Sequence, residues 1–267
     1  MAIRVCIAGV SGWTGKLIAN YLERDSKLKL VSGISRTYAG KTVRDILPDK
    51  HNLEVPVYGN IDDVPKNSVD VLVDFTHPES VFDRSIAALN VGMNVVIGTS
   101  GLNAEQYASI EKLALKVNLG VIAAGNFSIT AALAKHFSLL AAKHLPSWEI
   151  IDYASASKVD APSGTTRELA EEMSSIAQNQ VARKIESVVG YREARGATIG
   201  GTQVHSVRLP SFTISFETIF GLPDERLTIR HDSGTSAEPY VGGTLLAIKK
   251  VVEVKGLVRG MDRILFE

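Results

Sequence analysis

Ile3-Arg4-Val5-Cys6-Ile7-Ala8-Gly9-Val10-Ser11-Gly12-Trp13-Thr14-Gly15 is the stretch that decides the fold. Residues 3–8 are an apolar, β-branched run ended by glycine, the pattern of a buried strand. Residues 15–24 then set Leu17, Ile18, Tyr21 and Leu22 at helical spacing. The glycines fall as G-x-x-G-x-x-G rather than G-x-G-x-x-G. The physics is shared: a chain without side chains turns sharply and approaches a pyrophosphate, whose charge rests on the helix N-terminus. Gly9, Gly12, Trp13, Thr14 and Gly15 are candidate dinucleotide contacts, and the competing reading is a tight structural turn.

Working outward, strands are expected at 28–34, 69–75, 94–97 and 120–124, with helices at 80–90 and 104–117. Repeated strand–helix–strand order predicts a parallel sheet covered on both faces. The pattern changes after Asn126. A helix at 129–144 leads into longer alternating runs at 148–157, 184–189, 203–209, 213–220 and 226–231, interrupted by a helix at 165–178. Such runs predict an antiparallel or mixed sheet with one wet face. A helix at 242–252 and a short closing strand at 263–266 follow. The expectation is an α/β chain, with a Rossmann-type parallel-sheet domain from 1–126 and 237–267 and an α+β domain with a mixed open sheet from 127–236. Asn126-Phe127 and the segment near Ala237 are the expected connections, where hinge motion is placed.

Composition narrows the function classes. The 267 residues carry 29 basic and 29 acidic side chains, for no net charge, and 45% are apolar. That is ordinary for a soluble globular chain and lacks the basic excess of a nucleic-acid binder. No apolar run nears the ~20 residues that span a bilayer. A single cysteine, Cys6, excludes an internal disulfide and a cysteine-based zinc site, and no His/Asp/Glu spacing suggests a metal. Met1-Ala2-Ile3-Arg4 has no charged region leading into an apolar one, so a cytoplasmic location is expected.

In open parallel sheets ligands lie beyond the carboxyl ends of the strands. The second strand ends Gly33-Ile34-Ser35-Arg36-Thr37, without the acidic residue that usually holds the ribose hydroxyls of NAD. Ser35, Arg36 and Thr37 suit a 2′-phosphate instead, favouring NADPH over NADH. Asp74-Phe75-Thr76, Gly98-Thr99-Ser100 and Asn126-Phe127 close later strands. Phe75, Thr76, Gly98, Thr99, Ser100, Asn126 and Phe127 are therefore further cofactor candidates, while Asp74 serves equally well as a helix cap. In the second half, Lys158-Val159-Asp160-Ala161-Pro162-Ser163-Gly164-Thr165-Thr166 sets a lysine before a helix start. Free N–H groups at Ser163, Gly164 and Thr165 can bind a carboxylate, and Lys158 can add a charge or a proton.

With this stretch the chain resembles the dihydrodipicolinate reductase (4-hydroxy-tetrahydrodipicolinate reductase) family. The resemblance runs nearly end to end. It includes Gly9–Gly15, Asp74-Phe75-Thr76, Val96-Ile97-Gly98-Thr99, Asn126-Phe127-Ser128, Lys158–Thr165, Val204-His205-Ser206-Val207-Arg208-Leu209-Pro210, Ile219-Phe220-Gly221 and Ile229-Arg230-His231-Asp232-Ser233. It implies a Rossmann domain, a substrate-binding and oligomerisation domain, a homotetramer, and hydride transfer from NAD(P)H to a conjugated cyclic imine bearing carboxylates.

Departures from the family pattern gather in one place. Before the lysine the family normally has a pair of histidines and an arginine, and these fall on Ala154, Ser155 and Ala156. A later substrate-binding arginine falls on Ser236. The expectation is a divergent, NADPH-dependent imine reductase acting on a small cyclic C=N or conjugated C=C/C=N substrate with a carboxylate, not dihydrodipicolinate itself. The alternatives are a genuine 4-hydroxy-tetrahydrodipicolinate reductase of lysine biosynthesis and a non-catalytic NADPH-binding protein. Lys158 is the expected catalytic group, with Tyr153 as a second proton donor, and Ser155, Ser163, Gly164 and Thr165 as substrate contacts. On an ideal strand Lys158 shares a face with Ala154 and Ala156, and Tyr153 lies on the other. Tyr153 and Lys158 are one residue too far apart for a short-chain dehydrogenase. His205 and His231 are expected to be structural.

Overall fold

The computed structural model describes residues 1–47, 54–181, 183–212 and 214–266. The chain divides into two compact units, Met1–Ile129 with Ala237–Glu267, and Thr130–Ser236. The first begins β1 (Ile3–Ala8), α1 (Trp13–Leu22), β2 (Leu28–Ile34), β3 (Val57–Tyr58), β4 (Val71–Asp74) and α2 (Pro78–Asn90). It continues β5 (Asn94–Ile97), α3 (Ala104–Val117) and β6 (Gly120–Ala123). After α4 (Ile129–Ala142), the second unit contains β7 (Trp148–Ala154), α5 (Gly164–Ile176), β8 (Ala197–Ile199), β9 (Thr202–Arg208), β10 (Ile214–Leu222) and β11 (Glu225–Asp232). The chain then returns to the first unit as α6 (Glu238–Val251), β12 (Gly256–Arg259) and α7 (Met261–Phe266).

The first unit is built on a seven-stranded parallel sheet in the order β12-β6-β5-β4-β1-β2-β3. Its inner strands are near-continuous apolar runs because helices cover both faces: Val5, Cys6, Ile7 and Ala8 are all fully buried. α1 turns Ile18, Ala19 and Leu22 inward, as its spacing requires. α3 starts on a reciprocal cap, in which the Gln106 amide donates to the Asn103 side chain (2.9 Å) and the Asn103 amide to that of Gln106 (3.0 Å). It ends on Asn118 in the left-handed region (φ 59°).

The second unit carries a five-stranded sheet, β11-β10-β7-β9-β8, in which β7 and β9 are parallel and the other pairs antiparallel. β7 shows the alternation plainly: Trp148, Ile150, Asp152 and Ala154 are buried, while Glu149, Ile151 and Tyr153 are half-buried. The buried face packs with Phe216, Phe220, Leu169 and Met173 into one apolar cluster.

Several expectations need correction. Residues 184–189 form no strand; they hold a 3-10 turn at Ile185–Ser187, and Val189 is exposed. Six alternating residues suggest a strand only when a sheet edge receives them, and none does here. The closing strand is Gly256–Arg259, and residues 263–266 belong to α7. The run at 148–157 ends at Ala154, and the Lys158 amide then bonds the Ser155 carbonyl (3.0 Å) in a turn. The ideal-strand alternation therefore does not reach Lys158. β3 and β8 are too short to show a period. Thr213, the expected start of one strand, lies outside the described residues.

Phe216 is 1% exposed in the core of the second unit. Phe216→Ala is expected to cost about 3–5 kcal/mol of unfolding free energy by urea titration.

Candidate functional site

The strand order of the first unit reverses between β1 and β4, and a crevice at such a point is where open α/β sheets bind ligands. Gly9 sits there with φ +82°, and a Cβ on it would lie 2.1 Å from the Phe75 carbonyl oxygen. A Cβ on Gly15 would lie equally close, 2.1 Å, to the carbonyl oxygen of Gly9. The Gly12 amide donates to that same carbonyl (2.8 Å), so the turn closes on itself. Gly12 is the N-cap of α1 and brings no side chain over its first amides. The turn is thus a cradle of bare backbone at a helix start, which fits a pyrophosphate. Trp13 is 58% exposed and meets Tyr240 edge-on, with ring centroids 6.2 Å apart.

Beside the turn, the hydroxyls of Ser11 and Ser35 are 2.8 Å apart, tying the glycine loop to the end of β2. Ser35 is buried, whereas Arg36 and Thr37 are exposed. The Phe75 ring leans on Gly98, where a Cβ would come within 2.1 Å of it. Behind Phe75 lies Phe127, ring centroids 5.7 Å apart. Phe127 is only 2% exposed, so its side chain packs in the core of the first unit. The Asn126 side chain accepts the Ser128 amide (2.9 Å). Ser100 is exposed.

Asp74 does not cap a helix: α2 begins on His77, without a side-chain cap. Its fully buried carboxylate instead gathers the ends of β4 and β5. It accepts from the Thr76 hydroxyl (2.6 Å), the Thr99 hydroxyl (2.8 Å), the Thr76 amide (3.1 Å) and the Arg84 guanidinium (2.6 Å). The Thr76 amide also donates to Thr99 Oγ1 (2.7 Å). Thr76 and Thr99 are held by one buried ion pair, and Arg84 is a member of this site that the sequence alone did not single out.

In the second unit, Ser163 is the N-cap of α5, and its Oγ accepts the Thr166 amide (3.4 Å). Its hydroxyl donates to Asp152 (2.6 Å), and Ser163 is 2% exposed, so this side chain faces inward. Among the described residues the amides of Gly164 and Thr165 meet no acceptor. A Cβ on Gly164 would meet nothing within 4 Å. Lys158 pairs with Asp160 (Nζ–Oδ1 2.7 Å), which holds the Asp160 carboxyl below its usual value. The hydroxyls of Ser155 and Ser157 are 2.9 Å apart in the same turn.

Tyr153 is not brought to this group. Its hydroxyl donates to Glu217 (3.2 Å), its ring packs on Phe212 (5.1 Å), and the Arg230 guanidinium stands 4.9 Å above it. Burial and the Glu217 charge raise its pKa, which makes it a poorer acid. His205 pairs with Glu149 (2.8 Å), which also takes an ion pair from Arg195. His231 is 5% exposed and meets the Thr130 hydroxyl at 3.3 Å. Among the described residues no cluster of three or more His, Cys, Asp or Glu side chains can hold a metal, and no helix is long and apolar enough to cross a membrane.

A parallel-sheet unit with a bare glycine cradle at its reversal point, interrupted in sequence by a mixed-sheet unit, is the architecture of a dinucleotide-binding protein. The comparisons say which. The family model described as dihydrodipicolinate reductase, N-terminus, matches residues 3–127, and that described as dihydrodipicolinate reductase, C-terminus, matches 127–265. A 4-hydroxy-tetrahydrodipicolinate reductase of Syntrophomonas wolfei is 36% identical over 263 residues, covering 98% of each chain. One from Listeria monocytogenes is 33% identical, covering 98% of this chain and all of its own. The solved dipicolinate-bound dihydrodipicolinate reductase of Paenisporosarcina sp. TG-14 superposes with a TM-score of 0.83 at 33% identity, covering 99% of this chain and 100% of that one. An amine dehydrogenase of Mycobacterium smegmatis, 16% identical with a TM-score of 0.68, shares the fold. The chain belongs to the dihydrodipicolinate reductase family, and it is an NAD(P)H-dependent reductase.

Two outcomes follow from this geometry. Thr99→Val keeps the shape but strips one donor from Asp74 and one acceptor from the Thr76 amide. It is expected to lower stability by about 1–3 kcal/mol in chemical denaturation. Burial holds the His231 ring below its ordinary pKa of 6.5, against the opposing pull of Asp232. Above that value the ring is neutral in both folded and unfolded chains. As pH falls through it the unfolded chain takes up the proton first, so stability declines until the folded ring protonates too. Thermal melts between pH 8 and pH 5, roughly spanning the histidine range, should show this decline in the parent and a shallower one in His231→Gln.

Proposed function

We propose that the chain is an NADPH-dependent reductase that adds hydride to the C=N, or a conjugated C=C, of a small cyclic substrate carrying a carboxylate. The observation that carries the substrate half is the start of α5. There Ser163 is turned inward, Gly164 and Thr165 present free amides, and Lys158 lies on the preceding turn. Those amides would hold a carboxylate. The Lys158 ammonium would donate the proton that accompanies the hydride, or hold a second carboxylate. Bound NADPH supplies the hydride; Gly9, Gly12 and Gly15 would hold its pyrophosphate, and Thr76 and Thr99 would line the ends of β4 and β5 beside it. Ser35, Arg36 and Thr37, with no carboxylate among them, support NADPH over NADH.

For the substrate, the names of full-length relatives at 33–36% identity support 4-hydroxy-tetrahydrodipicolinate, the substrate of lysine biosynthesis. This reading has more support than the changed substrate that the sequence departures suggest. One observation favours the second. Ala154 is fully buried, and Ser155, Ala156 and Ser157 supply neither a cation nor an imidazole where the family carries them. A dicarboxylate held there has fewer charged partners. A homotetramer and a cytoplasmic location belong to the same proposal, supported by the family resemblance.

The test follows NADPH absorbance with freshly generated 4-hydroxy-tetrahydrodipicolinate, beside a histidine-containing family member. Turnover near the control's rate establishes the first reading. Inactivity here with turnover of another cyclic imine establishes the second. NADPH binding without turnover of any imine leaves a non-catalytic binder and overturns the proposal. Arg36→Ala is expected to raise KM for NADPH by roughly tenfold or more, because a charge-assisted hydrogen bond is worth about 1.5–3 kcal/mol, and to leave KM for NADH unchanged.

A further inference from the structure

Asp152 and Arg208 form a buried ion pair that the proposed chemistry does not use. The Asp152 carboxylate, fully buried on β7, takes five donors from two neighbouring elements. From α5 and its cap come the Ser163 hydroxyl (2.6 Å), the Ser163 amide (3.0 Å) and the Thr166 hydroxyl (2.9 Å). From β9 come Arg208 Nη2 (2.7 Å) and the Ser206 hydroxyl (3.3 Å). The same Arg208 Nη2 donates to the backbone carbonyl of Asp160 (2.7 Å), and the Asp160 carboxylate holds Lys158 Nζ (2.7 Å). One guanidinium therefore bridges the cap of α5, through Asp152, and the turn that carries Lys158, through Asp160.

A helix start needs no such device, since the Ser163 hydroxyl already caps it. Burying an ion pair carries a desolvation penalty that apolar packing avoids, so such a pair is weak evidence for stability as its purpose. What it supplies here is geometry. With Ser163 and Thr166 committed to Asp152, the open donors at the helix start are the Gly164 and Thr165 amides. We propose that the Asp152–Arg208 pair is a positioning element of the reductase, fixing the Lys158 turn and the Gly164–Thr165 amides relative to each other so that one carboxylate-bearing substrate engages both. This rests on the reductase reading above.

The experiment is steady-state kinetics on the whole chain with an imine that the parent reduces. Arg208→Lys keeps the charge but loses the planar group that fixes Nη2 between its two acceptors while Nη1 donates to the Val207 carbonyl (2.9 Å). The expected result is a substrate KM raised by about tenfold or more, with KM for NADPH within about twofold of the parent and unchanged circular dichroism. A second variant, Asp152→Asn with Arg208→Gln, replaces the ions by a neutral pair and should raise substrate KM likewise. It serves where Arg208→Lys does not fold. A purely structural pair would lower the melting temperature and the active fraction while leaving substrate KM unmoved; that result in a folded variant overturns the inference alone. A parent that reduces no cyclic imine overturns the reductase reading, and this inference falls with it.

Discussion

Between the ends of β1 and β4 there is no room for a side chain. Gly9 faces the Phe75 carbonyl and Gly15 faces Gly9 so closely that a Cβ on either would overlap backbone. Because backbone cannot retreat as a flexible side chain can, the sequence at these two positions is dictated by approach rather than by propensity. The close approach is also what leaves amides bare at the start of α1, and the serine pair Ser11–Ser35 then fixes where β2 ends relative to them. Everything that follows on the cofactor side is arranged around that turn.

The two units solve one problem in the same way. Each places a buried aspartate on a strand, Asp74 at the end of β4 and Asp152 within β7, that meets an arginine from a neighbouring element and spends its remaining lone pairs on hydroxyls and one amide. For Asp152, burial pushes the carboxyl up, but the bonds from Ser163, Arg208 and Thr166 outweigh it and hold it below its usual value. Both carboxylates stay within the core of their own unit and act on loops that face outward. Both oxygens of each carboxylate are partnered, so each cluster specifies its loop closely.

The parallel sheet was legible because its strands are apolar on both faces and its helices keep their period. β1, β2 and β5 fall where the run of residues puts them. The second unit was legible as a mixed sheet but not at its margins. The alternation of residues 184–189 has no partner strand, and nothing within those six residues says so. At the sites, glycines and hydroxyls were readable because their chemistry is local. Arg84, Asp152 and Arg208 were not, because their roles come from contacts far along the chain, such as Arg208 with Asp152. The assignment of Tyr153 as a proton donor assumed a geometry that β7 does not provide, since its hydroxyl is turned to Glu217. The side chain of Phe127 is likewise a packing surface.

β12 has a consequence for how the protein is made. It lies against β6, pairing Gly256 with Gly120 and Arg259 with Ala123, although the whole second unit is translated between them. Gly243 of α6 also fits under the Phe127 carbonyl, where no other residue has space. Until the last turn of synthesis, β6 is an open edge beside a sheet whose other members are already present. At roughly 5–20 residues per second the wait is on the order of ten seconds. During that interval the nascent chain exposes an unpaired row of amides and carbonyls, the surface that strays most readily into pairing with another copy.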